Sequence, residues 1–319
     1  MGYLTYGHLN LAARRIGTSV TLDKLRSGMR TRVYSGNPPT RGWAAVRWRN
    51  ESEDPPRRDR TNPGSPTIED FGEYRVLLAR LFVDRLNRTL LNSVGNTNFD
   101  GFSPTLKFDV DAVDVAIVEG QGLYVLIASH DDSDVQAVLA ELKVAASPDD
   151  DDWGVGAMPK IEPDSDLYQW LLYRWDEKNG SLTATLKLVD FKTLTTRDSM
   201  DHVSRELSGI DLSRVDTLGA IAEAHALGPA KLVLWDTHVK MRADLFLLRD
   251  GGFDVHRSGT EYAEAPMDKA QLGIYAALDV ATKILPRLHN AYANDREWAT
   301  VRPQFVDKCR QALASRFGP

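Results

Sequence analysis

Apolar and polar positions alternate with a period of two in some stretches and recur every three to four residues in others. Two apolar runs on either side of Glu119-Gly120-Gln121-Gly122 predict a hairpin over 113–129. A helix over 134–146 follows, with Val135, Val138, Leu139 and Leu142 on one face, ended by Pro148 and the acidic run 149–152. Upstream, Thr67-Ile68-Glu69-Asp70 has the form of a capping box, and Val76, Leu77, Leu81, Phe82, Leu86 and Leu90 fall at helical spacing, so a helix is expected from 67. The stretch 167–175 suits either a helix or a buried strand. Lys178-Asn179-Gly180 is a turn, and 182–193 is a strand. Helices are expected over 198–208 and 215–227, then a β-meander over 231–256 turning at Asp250-Gly251-Gly252. A long helix over 267–284 should end at Pro286, with a shorter one after Arg302. The predicted class is α+β or mixed α/β, with a central, mostly antiparallel or mixed sheet built from hairpins and flanked by helices. Residues 1–66 show little periodicity and read as an arginine-rich arm and linker ahead of a core domain over 67–319, with a subdivision near 228.

Composition narrows the class. A hydrophobic share of 42% and a charged share of 26% fit a folded core rather than a disordered chain. The longest apolar run, 123–128, is too short to span a bilayer, and the N-terminus lacks the basic-then-apolar layout of a secretion signal. The single cysteine, Cys309, excludes an internal disulfide and cysteine-based zinc or iron–sulfur sites. A cytoplasmic protein without a membrane partner is expected. Charge is unevenly spread: residues 1–100 carry 16 Lys and Arg against 10 Asp and Glu, whereas residues 101–200 carry 8 against 19. That split suits a polyanion-facing surface beside a cation-binding one, or two segments that attract each other. Arg47, Trp48, Arg49, Arg57 and Arg58 could meet phosphates and stack a base, or serve as solvated loop residues.

The chemistry concentrates in Leu188-Val189-Asp190-Phe191-Lys192-Thr193 and Gln271-Leu272-Gly273-Ile274-Tyr275. On a strand, Asp190 and Lys192 point to one face, because the side-chain period is two. A carboxylate beside an ammonium suits metal-assisted phosphodiester hydrolysis: the acid holds the cation and the lysine orients the attacking water. A second carboxylate is needed. If 167–175 is a strand folded back by the turn at 178–180, Asp166, or Asp164 with a register shift, lies opposite Asp190.

These segments resemble the RecB-like branch of the PD-(D/E)XK nuclease superfamily. The resemblance implies an αβββαβ core, Mg²⁺ or Mn²⁺ as cofactor, and DNA as substrate. It places Asp190 and Lys192 on the branch's third motif, and Gln271 and Tyr275 on its helix motif. Asp166 and Asp190 become metal ligands. A second register puts the acids at Asp244 and Asp254, closer in sequence to Gln271, but leaves His256 where the lysine should stand. The alternative is a non-catalytic nucleic-acid- or protein-binding subunit of a multiprotein bacterial system, such as antiviral defence, with a degenerate nuclease-like fold and a protein partner or second copy. Arg197 and His202 also fit the short pattern of HEPN ribonucleases, though those are helical bundles. Asp109 and Asp111 faintly resemble nucleotidyltransferase carboxylates.

Overall fold

Each sheet here has an apolar face to keep dry, and the chain answers that need twice. The structure, a computed structural model, describes residues 9–317 other than 39, 47–63, 121, 130, 147–152, 158–163, 199, 201, 207–209, 211, 213, 250–251 and 265–268. The chain divides into two compact units, Met1–Gly156 with Met267–Tyr275, and Ala157–Pro266 with Ala276–Pro319. The fold is mixed α and β, and its sheets are built from antiparallel pairs as expected.

In the first unit the strands are β1 (Leu9–Gly17), β2 (Arg41–Ala44), β3 (Thr67–Phe71), β4 (Tyr74–Leu86), β5 (Phe108–Gly120), β6 (Gly122–Ile127) and β7 (Gly154–Ala157). They run in the order β2-β4-β5-β6-β1, with β3 also on β4 and β7 on β1. Helices α1 (Leu22–Arg30) and α5 (Asp132–Ala146) cover one face, where Leu25, Met29, Val138 and Leu142 meet Leu77, Leu81, Val115 and Ile127. Thr21 caps α1 by accepting from the Lys24 amide. Gly28 lets that helix press on α5, since a Cβ there would lie 1.8 Å from the Ala145 carbonyl oxygen. Three short helices, α2 (Arg88–Val94), α3 (Asn96–Phe99) and α4 (Pro104–Lys107), connect β4 to β5.

Two expectations are corrected in this unit. The helix expected from 67 is the β3–β4 hairpin, turning at Gly72 with φ +58°. Every residue from Val76 to Phe82 is buried, so both faces of β4 are dry and the period-two signal is lost. Residues 9–46 are no arm: Leu11, Ile16, Leu25 and Trp43 are fully buried, and β1 and β2 belong to the sheet. Arg47, Trp48, Arg49, Arg57 and Arg58 lie outside the described residues.

The second unit carries α6 (Ser165–Glu177), β8 (Leu186–Arg197), β9 (Val203–Glu206), α7 (Val215–Ala222), β10 (Ala226–Asp236), β11 (Met241–Leu247), β12 (Phe253–Val255) and β13 (Glu261–Tyr262). After them come α8 (Lys269–Asp279), a π-helical turn (Val280–Ile284), α9 (Leu285–Ala293) and α10 (Trp298–Arg316). Its sheet runs β12-β11-β10-β8-β9, with β13 on β11. The hairpin expected over 113–129 and the meander over 231–256 are both present. Where a helix was expected over 198–208, β9 pairs with the end of β8. The helical path does not stop at Pro286: it runs on through the π-helical turn, where the Leu285 amide donates to the Val280 carbonyl five residues back, and this wider turn takes in a residue that lacks an N–H. Cys309 is buried in α10, and burial pushes its thiol up to about 11. A raised thiol pKa leaves little thiolate at pH 8, so the native protein should resist iodoacetamide there and react fully once unfolded. Stoichiometric labelling of the native protein, read by intact mass, would contradict this.

Candidate active site

The β8–β10–β11–β12 sheet has two unlike faces. Leu188, Phe191, Leu232, Leu234, Ala243 and Leu245 are buried on one. Lys192, Lys231 and Asp244 gather on the other, and Lys192 Nζ donates to Asp244 Oδ2 at 2.6 Å. Lys231 Nζ lies 3.7 Å from Asp244 Oδ1. The Asp244 backbone is held on both sides as well. Asp244 N donates to Thr260 Oγ1 at 3.1 Å, and the His256 amide donates to the Asp244 carbonyl at 2.9 Å. Asp244 is 3% exposed, while the two lysine side chains are 32% and 24% exposed. The acid is therefore buried and its cations reach solvent.

Backbone irregularity brings Lys192 there. Thr193 pairs with Lys231 and Phe191 with Leu232, so Lys192 is the extra residue of a β-bulge, and Val189 is the extra residue of another. Its long stem then crosses β10 to Asp244 on β11. Asp190 pairs with Val233, which pairs with Asp244, so the two acids share a row with one strand between them. That spacing is roughly 9–10 Å between Cα atoms. Asp254 is better placed. It pairs with Phe246, two residues along from Asp244, which makes Asp244 and Asp254 diagonal neighbours roughly 7–8 Å apart at Cα.

Asp166 has other company. The stretch 167–175 is helical, so the hairpin that would set Asp166 opposite Asp190 does not form. Asp164 instead caps α6 through the Leu167 amide at 2.8 Å. Asp166 accepts from Tyr292 Oη at 2.6 Å and Trp298 Nε1 at 3.0 Å, and pairs with Arg302 Nε at 3.0 Å. Burial and that carboxylate push the Tyr292 phenol well above its ordinary value. The network ties α6 to α9 and α10.

Gln271 and Tyr275 fall in the first unit, whereas Asp190, Lys192, Asp244 and Asp254 fall in the second. Tyr275 packs edge-on against Tyr74, with ring centroids 5.6 Å apart, and closely over Gly72. Arg197 and His202 lie at the β8–β9 turn, where Asp198 accepts from the His202 and Met200 amides, which holds its carboxyl below the usual range. Asp111 is paired with Arg85 at 2.8 Å. Lys231, Gly259 and Thr260 escaped notice in the sequence. The available signal was a lone lysine inside the apolar strand Ala230-Lys231-Leu232-Val233-Leu234.

A comparable arrangement in the first unit throws the site into relief. Asp114 on β5 faces Arg80 on β4, with Nε to Oδ1 at 2.6 Å and Nη2 to Oδ2 at 3.1 Å. There the pair is sealed, with side-chain exposures of 4% and 0%. Around Asp244 both cations stay accessible, and the carboxylate's Oδ1 is buried without a hydrogen bond. An orphaned buried acceptor facing ammonium groups that reach solvent suits a ligand site better than a structural lock. Gly259 guards the space: a Cβ there would lie 2.3 Å from Asp244 Oδ2. Gly259→Ala should therefore push the carboxylate off Lys192 at a cost of about 1–3 kcal/mol, read as a lowered urea midpoint. An unchanged midpoint would show that the loop yields instead.

No protein-family model matches this chain, and no curated protein does. Among the described residues no group of three His, Cys, Asp or Glu side chains is arranged to hold a metal ion, and no helix is long and apolar enough to cross a membrane.

Proposed function

We propose that this chain hydrolyses phosphodiester bonds of DNA, with Mg²⁺ or Mn²⁺, at the Lys192–Asp244 site. One observation carries the proposal. The Asp244–Asp254 arrangement lacks a lysine in its own hairpin, and Lys192 reaches Asp244 from β8 at 2.6 Å. The two sequence registers that compete for the acid–lysine motif thus each contribute one member of a single cluster. What supports a hard cation here is that Asp244 Oδ1 is buried without a hydrogen bond and that Asp254 is its diagonal neighbour. Asp244 and Asp254 would hold the ion, which when bound polarises the phosphate and acidifies water. Lys192 fixes the orientation of the Asp244 carboxylate and presents an N–H donor to the attacking water. Lys231 adds positive charge where a phosphate must approach, and the buried apolar face keeps the strands in register. Asp190 stands one strand away and takes no ligand role in this scheme.

A second function is favoured by a different feature of the same cluster. Both Asp244 oxygens already lie near ammonium groups, as in a closed ion triad, which suits a non-catalytic nucleic-acid- or protein-binding subunit. Incubation with supercoiled and linear DNA in Mg²⁺ or Mn²⁺ separates the two. Cleavage that needs the ion and Asp244 supports the hydrolase. Binding without cleavage at any ion concentration overturns it in favour of the binding subunit. A cytoplasmic location, where DNA is accessible, goes with either function.

A further inference from the structure

We infer that Lys231 is a phosphate-binding side chain that seats the nucleic-acid backbone beside Asp244; this deepens the hydrolase proposed above and rests on it. The two lysines of the cluster are not equivalent. Lys192 is committed, with its ammonium hydrogen-bonded to Asp244 Oδ2 at 2.6 Å. Lys231 Nζ stops 3.7 Å from Oδ1, beyond hydrogen-bond distance, and makes no hydrogen bond to any other described residue. Among the described residues, then, none takes up its three N–H donors. Its position is nonetheless fixed. Lys231 lies in the middle of the sheet, paired with Thr193 on one side and Phe246 on the other, and its side chain is 24% exposed.

An ammonium with vacant donors, anchored on a central strand and held near a buried carboxylate by attraction alone, is suited to a phosphate oxygen. A lysine binds phosphate as a point charge and needs no planar fork. The adjacent Asp244 Oδ1, buried and without a hydrogen bond, repels that oxygen unless a cation intervenes. A divalent ion on Asp244, as the proposed hydrolase requires, would remove that repulsion, so the ion and the phosphate would be seated side by side. Lys192, with one donor engaged and its stem lying across β10, is the less available of the two.

Binding separates this role from the chemistry. Lys231→Gln should weaken duplex DNA binding about tenfold, and the slope of log affinity against log salt should shrink by about 0.9. Lys231→Arg should restore most of that slope. In the wild-type protein, saturation with DNA should protect Lys231 from acetic anhydride, as read by peptide mass spectrometry, which tests the contact without a variant. Unchanged slope and unprotected Lys231 overturn the assignment, even where Asp244→Asn abolishes cleavage. Cleavage that survives Asp244→Asn refutes the hydrolase instead, and the salt slope and protection still decide whether Lys231 meets phosphate.

Discussion

Asp244→Asn is expected to lower DNA cleavage on the order of a thousandfold, about 4 kcal/mol of barrier, with the fold intact. Asparagine has the same shape and keeps the backbone bonds to Thr260 and His256, but it removes the charge that Lys192 and a divalent ion would both need. Lys192→Met should cost on the order of a hundredfold, because the long apolar stem still crosses β10 while the N–H donor is lost. The two losses should not add, since each removes the same contact. Supercoiled-plasmid relaxation in Mn²⁺, with circular dichroism on each variant, checks this directly. Full cleavage by folded Asp244→Asn would eliminate this cluster as the active site.

Asp114→Ala should instead destabilise the protein by about 3–5 kcal/mol, without a specific effect on cleavage per folded molecule. The reason is burial: Arg80 would keep its charge at 4% side-chain exposure after losing a partner at 2.6 Å. Replacing both members together, as Arg80→Met with Asp114→Leu, should recover most of that loss, because an apolar pair needs no desolvation of charge. Urea unfolding of the single and double variants measures it. A loss below about 1 kcal/mol for Asp114→Ala would mean that water or a neighbour takes over the guanidinium, contrary to the usual cost of a stranded buried charge.

The contrast between these two acids shows what the sequence made legible. Asp114 and Asp244 each stand mid-strand, just before an apolar run that leads to a glycine-containing turn and a return strand, and both stretches are hairpins. That much follows from turn chemistry and alternation. The cation facing each acid does not, because Arg80 is 34 residues away and Lys192 is 52. Two bulges in β8 also reset the pairing, so counting by twos from Leu188 to Thr193 misassigns the faces: Leu188 and Phe191, three apart, share the apolar one. Parity along a hairpin would set residues 164–166 opposite Asp190, but α6 begins there. Helical spacing misled at 76–90, because a strand buried on both faces carries no alternation and its apolar residues fit several periods. In the long C-terminal path Pro286 reads as a stop, but the π-helical turn before it carries the helix on, and nothing in the local sequence marks that turn.

The path of α8 bears on how the protein can be made and dissected. Residues up to Tyr275 group with the first unit and residues from Ala276 with the second, so one continuous helix is divided between two folding units. No single cut in the chain frees either of them whole. A fragment ending near 156 would leave Tyr74 and Gly72 without the Tyr275 ring that packs on them. A fragment starting near 157 would still carry the Met267–Tyr275 segment of the other unit. During synthesis on the ribosome the earlier unit has to wait for more than a hundred residues of foreign sequence before its last piece emerges. Separate production of the candidate active-site unit is then better attempted by deleting 1–156 and mutating the apolar positions of 267–275 to polar ones than by simple truncation.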